Sequence, residues 1–378
     1  MNRHLPEVAQ VFLKLGSIAF GGPAAHIAMM NEEIVQKRKW VDQETFLDLL
    51  GASNLIPGPN STELAIHLGY RRAGWPGLIV AGVCFIAPAM LIVLAFAMLY
   101  VRFGSLPQLA WVLYGIKPVI LAIVLQALWG LARTAVKDRA TGMVGAAALA
   151  AAALGMHEIP VLALAGLAVL LIRQGGRLQG RMHALSPVLP MWGLWAAAKT
   201  PAADAASLGK LFVLFLKIGS VLYGSGYVLL AFLQSEFVRR WPVLTPEQLL
   251  DAVAVGQFTP GPVFTTATFV GYLVGGTPGA VLATIGIFLP AFVFVAVVNP
   301  WVDRLRRSPV AGSLLDGVNV ASLALMALVS AQLGTSAVTD WLGALLLAVS
   351  LFLVIRFRIN SAWLVLGGGL VGLAAAYM

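Results

Sequence analysis

The chain has 378 residues, 60% of them hydrophobic and 11% charged, with a mean hydropathy of +0.88. Soluble domains carry about 25% charged residues, so an ordinary soluble domain is excluded and the repeated long apolar runs mark an all-α polytopic membrane protein. The net charge of +9 lies in short loops between apolar runs, where the positive-inside rule accounts for it without nucleic acid, and the single cysteine, Cys84, excludes an intramolecular disulfide or a cysteine-based metal site.

The first predicted helix covers 9–30 and contains FLKLGSIAFGGP, Phe12 to Pro23. The start of the chain does not read as a cleaved signal peptide, because its apolar run carries Lys14 and then a break. A charge inside a membrane helix is costly and marks a functional candidate, with snorkelling from the helix end as the alternative. Gly21-Gly22-Pro23 interrupts the helix two turns later. Proline suits the first position of a new helix and glycine permits positive φ. A half-helix starting here aims its free N–H groups and positive end at the break, an anion site, unless the break is only a kink or a close packing contact.

A polar stretch leads to a short helix over 43–56, with Asp42 as its N-cap and Glu44 and Asp48 in the first turns, where the dipole favours acids. Pro57-Gly58-Pro59 follows, then a short helix over 60–71 opening with Asn60, Ser61 and Thr62, side chains that cap helices or hydrogen-bond oxyanions. Glu63 and His67 stand four apart on it. They are candidates for a proton-coupling acid and its relay, against a local pair or a partner for Lys14. Long apolar runs cover 77–100, 109–132, 140–156 and 159–172, and 173–208 is a polar linker with an interfacial segment near 191–197.

The remainder repeats the first half. Lys14 aligns with Lys217, Gly16-Ser17 with Gly219-Ser220, Gly21 with Gly224, Glu33 with Glu236, and Pro57-Gly58-Pro59 with Pro260-Gly261-Pro262. After a one-residue gap the register continues through Gly69-Tyr70 and Gly271-Tyr272 to Gly115 and Gly317. The second break reads Gly224-Ser225-Gly226, and Thr265 and Thr266 follow the second Pro-Gly-Pro. Thr245 is its N-cap, and Lys117, Asp316 and Asn319 are expected at helix ends, where long side chains snorkel. The other histidines, His26 among them, are too scattered to suggest a metal site.

The helices flanking each Pro-Gly-Pro are too short to cross about 30 Å of hydrocarbon. If each pair is a re-entrant hairpin, one face collects Lys37, Arg38, Lys39, Arg71, Arg72, Arg133, Lys137, Arg139 and Arg173, among others, and the opposite face keeps Arg3, Arg102, Arg239 and Arg240. Crossing helices instead give nearly equal faces, so loop charge favours about ten transmembrane helices plus two re-entrant hairpins in two inverted-topology repeats. The expected units are a first membrane repeat 1–173, a cytoplasmic linker 174–208 and a second membrane repeat 209–378. Inverted repeats with broken helices point to a secondary transporter with its site near the midplane. The candidate ligands are Lys14, Gly21, Gly22, Gly58, Asn60, Ser61, Thr62, Lys217, Gly224, Ser225, Gly261, Thr265 and Thr266, arranged for a divalent oxyanion.

In FLKLGSIAFGGP, in the stretch from NEEIVQKRKW to RRAGWPG, and in the second copies FLKIGSVLYGSGY and GQFTPGPVFTTATFVGYLVGGTPG, the sequence resembles the chromate ion transporter family, over nearly the whole chain outside the linker. The resemblance implies a multi-pass protein of the bacterial inner membrane that exports chromate, driven by membrane energy and related to sulfate handling. Chromate and sulfate are both tetrahedral dianions, so sulfate or another small anion is the alternative substrate. No enzyme activity, cofactor or metal is expected; the expected partners are the anion and membrane lipid, and the assembly state is open, a homodimer included.

Overall fold

The computed structural model describes residues 4–20, 22–103, 106–174, 208–223, 226–299, 308–357 and 359–377. Gly21, Gly224, Ser225 and nearly all of the expected linker, with its segment near 191–197, lie outside the described residues. The described residues are helical, with no strand among them. The first half contains α1 (Leu5–Ile18), α2 (Gly22–Met30), α3 (Gln43–Ser53), α4 (Asn60–Phe103), α5 (Pro107–Ala135), α6 (Arg139–Ala153) and α7 (Glu158–Gln174). The second half contains α8 (Leu208–Val221), α9 (Leu229–Leu233), α10 (Pro246–Phe258), α11 (Thr266–Val298), α12 (Pro309–Ala337), α13 (Trp341–Phe357) and α14 (Ser361–Ala375).

Local chemistry sets the boundaries. Asp42 accepts the N–H of Thr45 to start α3, and Thr245 forms a reciprocal capping box with Gln248 at the start of α10. The run predicted as one helix over 9–30 is split, with α1 ending at Ile18 and α2 starting at Gly22, whose φ is +75°. The helix expected over 60–71 does end there: Ala73 and Gly74 leave helical geometry inside the α4 range and the chain folds back, so that Gly69 lies against Gly77 and Ala81. Helix α11 repeats this joint at Gly275 and Gly276, where Gly271 lies against Gly279 and Thr268 bonds Thr284. Gly74 and Gly276 have φ of +64° and +61°, so the joint depends on glycine.

Among the described residues, four helical stretches are long and apolar enough to cross a membrane, over Asn60–Phe103, Gln108–Ala135, Val263–Val298 and Pro309–Ala337. Shorter apolar helices, including α6, α13 and α14, pack around them. Large apolar side chains such as Leu91, Trp129 and Trp363 face outward, as a lipid-facing surface requires. The chain is a multi-pass membrane protein.

Helix α1 lies along α4, and α8 along α11. Gly16 faces the Phe85 carbonyl and Gly219 the Ile287 carbonyl, so a β-carbon at either would collide with backbone. Small residues permit such close crossings where lipid, not water, is the solvent. Helices α4 and α11 meet each other, α5 packs against α12, α13 and α14, and α12 packs against α6 and α7. One apolar core runs from the later part of α4 (Ile86, Val93, Ala97) through α5–α14, a second (Val8, Phe12, Met30, Phe46, Phe85) lies within α1–α4, and a small cluster of Ile56, Ile66, Phe294 and Val295 joins α4 to α11.

Candidate functional site

The two Pro-Gly-Pro turns meet the two helix breaks across the halves. The N–H of Gly58 donates to the carbonyl of Leu222, just past α8, at 2.8 Å, and the N–H of Gly261 donates to the carbonyl of Ala19, just past α1, at 3.0 Å. Helix C-termini leave carbonyls without partners, and each turn supplies one to the other half. Gly58 and Gly261 have φ of +139° and +87°, which disfavours any other residue. A side chain at Gly58 would run into the Glu63 carboxyl, and one at Gly261 into Ala89.

His26 ties this junction together, with Nε2 3.0 Å from the Ala19 carbonyl and Nδ1 3.2 Å from the Ser61 hydroxyl. A carbonyl only accepts, so Nε2 carries the proton and Nδ1 of the neutral ring accepts from Ser61.

A cavity of about 450 Å³ lies at this junction. Its wall includes Pro23 at the start of α2, Pro59, Asn60 and Ser61 at the start of α4, Gly226 at the start of the turn into α9, and Pro262 and Val263 at the start of the turn into α11. Four helical starts therefore converge on one space. Each brings amides that lack intrahelical partners, and the full helices bring the positive end of a dipole. Lys137, whose ammonium is 2.7 Å from Asp316, and Asn319 also line it, and no acidic side chain of the described residues does. Such a space attracts a small anion and repels a cation.

The candidate ligands divide. Asn60 and Ser61 line the cavity, and Gly58 and Gly261 hold its walls through the turns they form. Asn60 also donates to Asn54 at 2.6 Å. Thr62, Thr265 and Thr266 are buried away from it, and the last two donate to the Pro262 and Val263 carbonyls, each at 2.8 Å. Lys14 and Lys217 do not line the cavity. Lys14 is 3.2 Å from Glu33 and Lys217 2.9 Å from Glu236. The first pair belongs to a cluster with Glu7, Arg38 and Arg72, the second to a cluster with Arg240, His157 and Glu158. Glu63 and His67 are fully buried; His67 Nδ1 lies 3.3 Å from Asn299.

Lys117, Asp316 and Asn319 do not snorkel as expected. Lys117 is 3.7 Å from Asp251, which also accepts from the Tyr100 hydroxyl at 2.9 Å. Asp316 binds Lys137 and Arg173 at 2.7 and 2.6 Å, and Asn319 faces the cavity. Lys137 and His26 are functional candidates that the sequence reading passed over. One resembled an ordinary loop charge and the other an isolated histidine, and only the alignment of Ser61 opposite a helix break could have drawn attention to His26.

The family model described as chromate transporter matches residues 6–171 and 209–373. The chain is 32% identical over 377 residues to the chromate transport protein of Cupriavidus metallidurans, covering 98% of this chain and 93% of that protein. It is 30% identical over 365 residues to a probable chromate transport protein of Synechococcus elongatus, covering 95% and 90%, and 31% identical over 323 residues to the chromate transport protein of Pseudomonas aeruginosa, covering 83% and 77%. No solved structure matches the chain.

Proposed function

The chain belongs to the chromate transporter family, and on that premise we propose that it is a secondary transporter that exports chromate across a bacterial inner membrane by alternating access, driven by membrane energy. The observation that carries this reading is the cavity at the four helical starts, which has one lysine and no carboxylate in its described wall. A tetrahedral dianion suits it, because amides arriving from several directions can share four oxygens.

The architecture in this reading is ten crossings and two re-entrant hairpins, in inverted repeats 1–173 and 209–378 joined by a cytoplasmic linker 174–208. Support comes from the same order of helices in both halves, the reciprocal turn-to-break bonds, and the two stretches matched by the family model. Lys137 lies on the face that the loop charges assign to the cytoplasm, so the cavity is in a cytoplasm-facing state. Asn60 and Lys137 meet the anion, with the free amides at the helical starts near Pro59 and Pro262, while Gly58, Gly261 and Ser61, whose protons go to Leu222, Ala19 and His26, shape the wall. Lys14 and Lys217 act at a distance, holding the two ends through Glu33 and Glu236.

The test is chromate uptake into everted vesicles with and without an imposed potential. The reading predicts uptake that needs the protein and grows with potential, and that excess sulfate competes with if both dianions share the site. Uptake equal to that of vesicles lacking the protein would overturn it.

A further inference from the structure

We infer that Glu63 is a proton site coupled to the anion by co-binding: the dianion occupies the cavity while Glu63 holds its proton. The inference rests on the transport reading above and deepens it by naming the second ligand and the sign of its coupling.

Glu63 is fully buried, and neither carboxyl oxygen has a partner among the described residues. It stands in the first turn of α4, with its N–H on the Pro59 carbonyl at 3.0 Å and its carboxyl against Gly58. Pro59, Asn60 and Ser61, immediately before it, line the cavity. An ionised carboxylate without partners in such a place costs more than a neutral one, so in this conformation Glu63 carries its proton.

The fold does not need an acid there. The second half has Thr266 at this place, and its hydroxyl is satisfied by the Val263 carbonyl at 2.8 Å. An unpaired acid kept at membrane depth without a structural task marks function.

The titratable side chains on elements packed against the start of α4 are His26 on α2, Glu7 and Lys14 on α1, Glu44 and Asp48 on α3, Glu247 and Asp251 on α10 and Tyr272 on α11, with His67, Tyr70, Arg71, Arg72, Cys84, Tyr100 and Arg102 on α4 itself. None is hydrogen-bonded or ion-paired to Glu63 among the described residues. Lys14, Glu7 and Asp251 pair with Glu33, Arg72 and Lys117 instead. His67 lies one turn further on, with Nε2 unpartnered and Nδ1 on Asn299, which gives the proton a route away from the cavity.

A dianion in the cavity and a carboxylate behind its wall repel strongly where water is scarce. The coupling is reciprocal: protonating Glu63 tightens anion binding, and anion binding draws a proton onto a Glu63 oxygen. One proton moves from solvent to the carboxyl, and no other bond changes.

The experiment measures chromate binding and proton uptake by the purified full-length protein in weak buffer, over a pH range in which chromate stays a dianion. The wild type is expected to take up little or no proton at pH values where the free protein already holds the Glu63 proton, and close to one per chromate at higher pH, where Glu63 is ionised before the anion binds, with affinity there falling about tenfold per pH unit. Glu63→Gln is expected to bind chromate with no proton uptake and little pH dependence. Glu63→Thr, the residue of the second half, serves if Glu63→Gln does not fold. Chromate binding by the wild type that takes up no proton and keeps the same affinity up to the highest pH at which the protein stays folded overturns the inference, as does uptake that persists in the variants. Failure of the folded wild type to bind chromate at all overturns the transport reading itself.

Discussion

Lys217 is 14% exposed and Glu236 5%, against 52% and 10% for Lys14 and Glu33. The two pairs are equivalent in sequence but not in energy. Removing one partner of a buried pair strands the other and costs about 3 kcal/mol or more, whereas a half-exposed pair is worth up to ~1 kcal/mol. Arg240 also reaches Glu236 and softens the loss. Lys217→Met is therefore expected to lower the thermal unfolding temperature of the purified protein clearly more than Lys14→Met, and Glu236→Gln added to Lys217→Met to recover part of it. Lys137→Ala is expected to raise the chromate concentration for half-maximal uptake by about tenfold, the equivalent of ~1.4 kcal/mol, while leaving the amount of protein in the membrane unchanged. At this scale the sequence exposed the charges but not their partners. Glu33 and Glu236 stand a helix and a break away from their lysines, so the pairing exists only once α2 and α9 have folded back. Lys137 is indistinguishable in sequence from any loop cation until its turn is brought over the cavity.

The turns Pro57-Gly58-Pro59 and Pro260-Gly261-Pro262 hold each half to the broken helix of the other. Gly261→Ala is expected to cost about 1 kcal/mol or more, read as a lowered unfolding temperature and a loss of transport, because φ is +87° and Ala89 and the Gly16 carbonyl fill the space beside it. The turn between α5 and α6 offers a pH test. Asp138 caps α6, and the N–H of Thr141, with help from Arg173, holds its carboxyl down to about 2. The unfolded value is about 3.9, so the cap stabilises the protein fully above that value and is lost as pH falls through about 2. Asp138→Ala should therefore unfold more readily than the wild type near neutral pH, and the gap should shrink as the medium is taken below pH ~3. Elements of this kind were legible in advance, because caps, glycines and prolines act within a few residues. The joint within α4 was legible in the same way, since the expected stop near 71 coincides with Ala73 and Gly74, where Gly74 at φ +64° turns the chain back.

Helices α5–α7 and α12–α14 interleave across the two halves. That arrangement joins the two halves more firmly than a linker could, and α5 and α12 complete the cavity wall beside the broken helices and turns. The glycine and proline register that aligns the two halves was visible in the sequence, but the interleaving was not, because helix pairing over such separations leaves no local signal. Opposed halves make a direct topological prediction. In a Cys84→Ser background, a cysteine at Lys39 should be shielded from an impermeant reagent added to whole cells, and one at Arg239 should react. Equal labelling at both would contradict the inverted arrangement.

The central claim is that one anion is held between the two Pro-Gly-Pro turns. It is tested most directly by placing single cysteines at Asn60 and at Val263, one on each wall of the cavity, in the same background. Labelling of everted vesicles is then followed with and without chromate. The account predicts that chromate slows labelling at both positions over the same concentration range, whereas labelling unchanged at both by saturating chromate would contradict it.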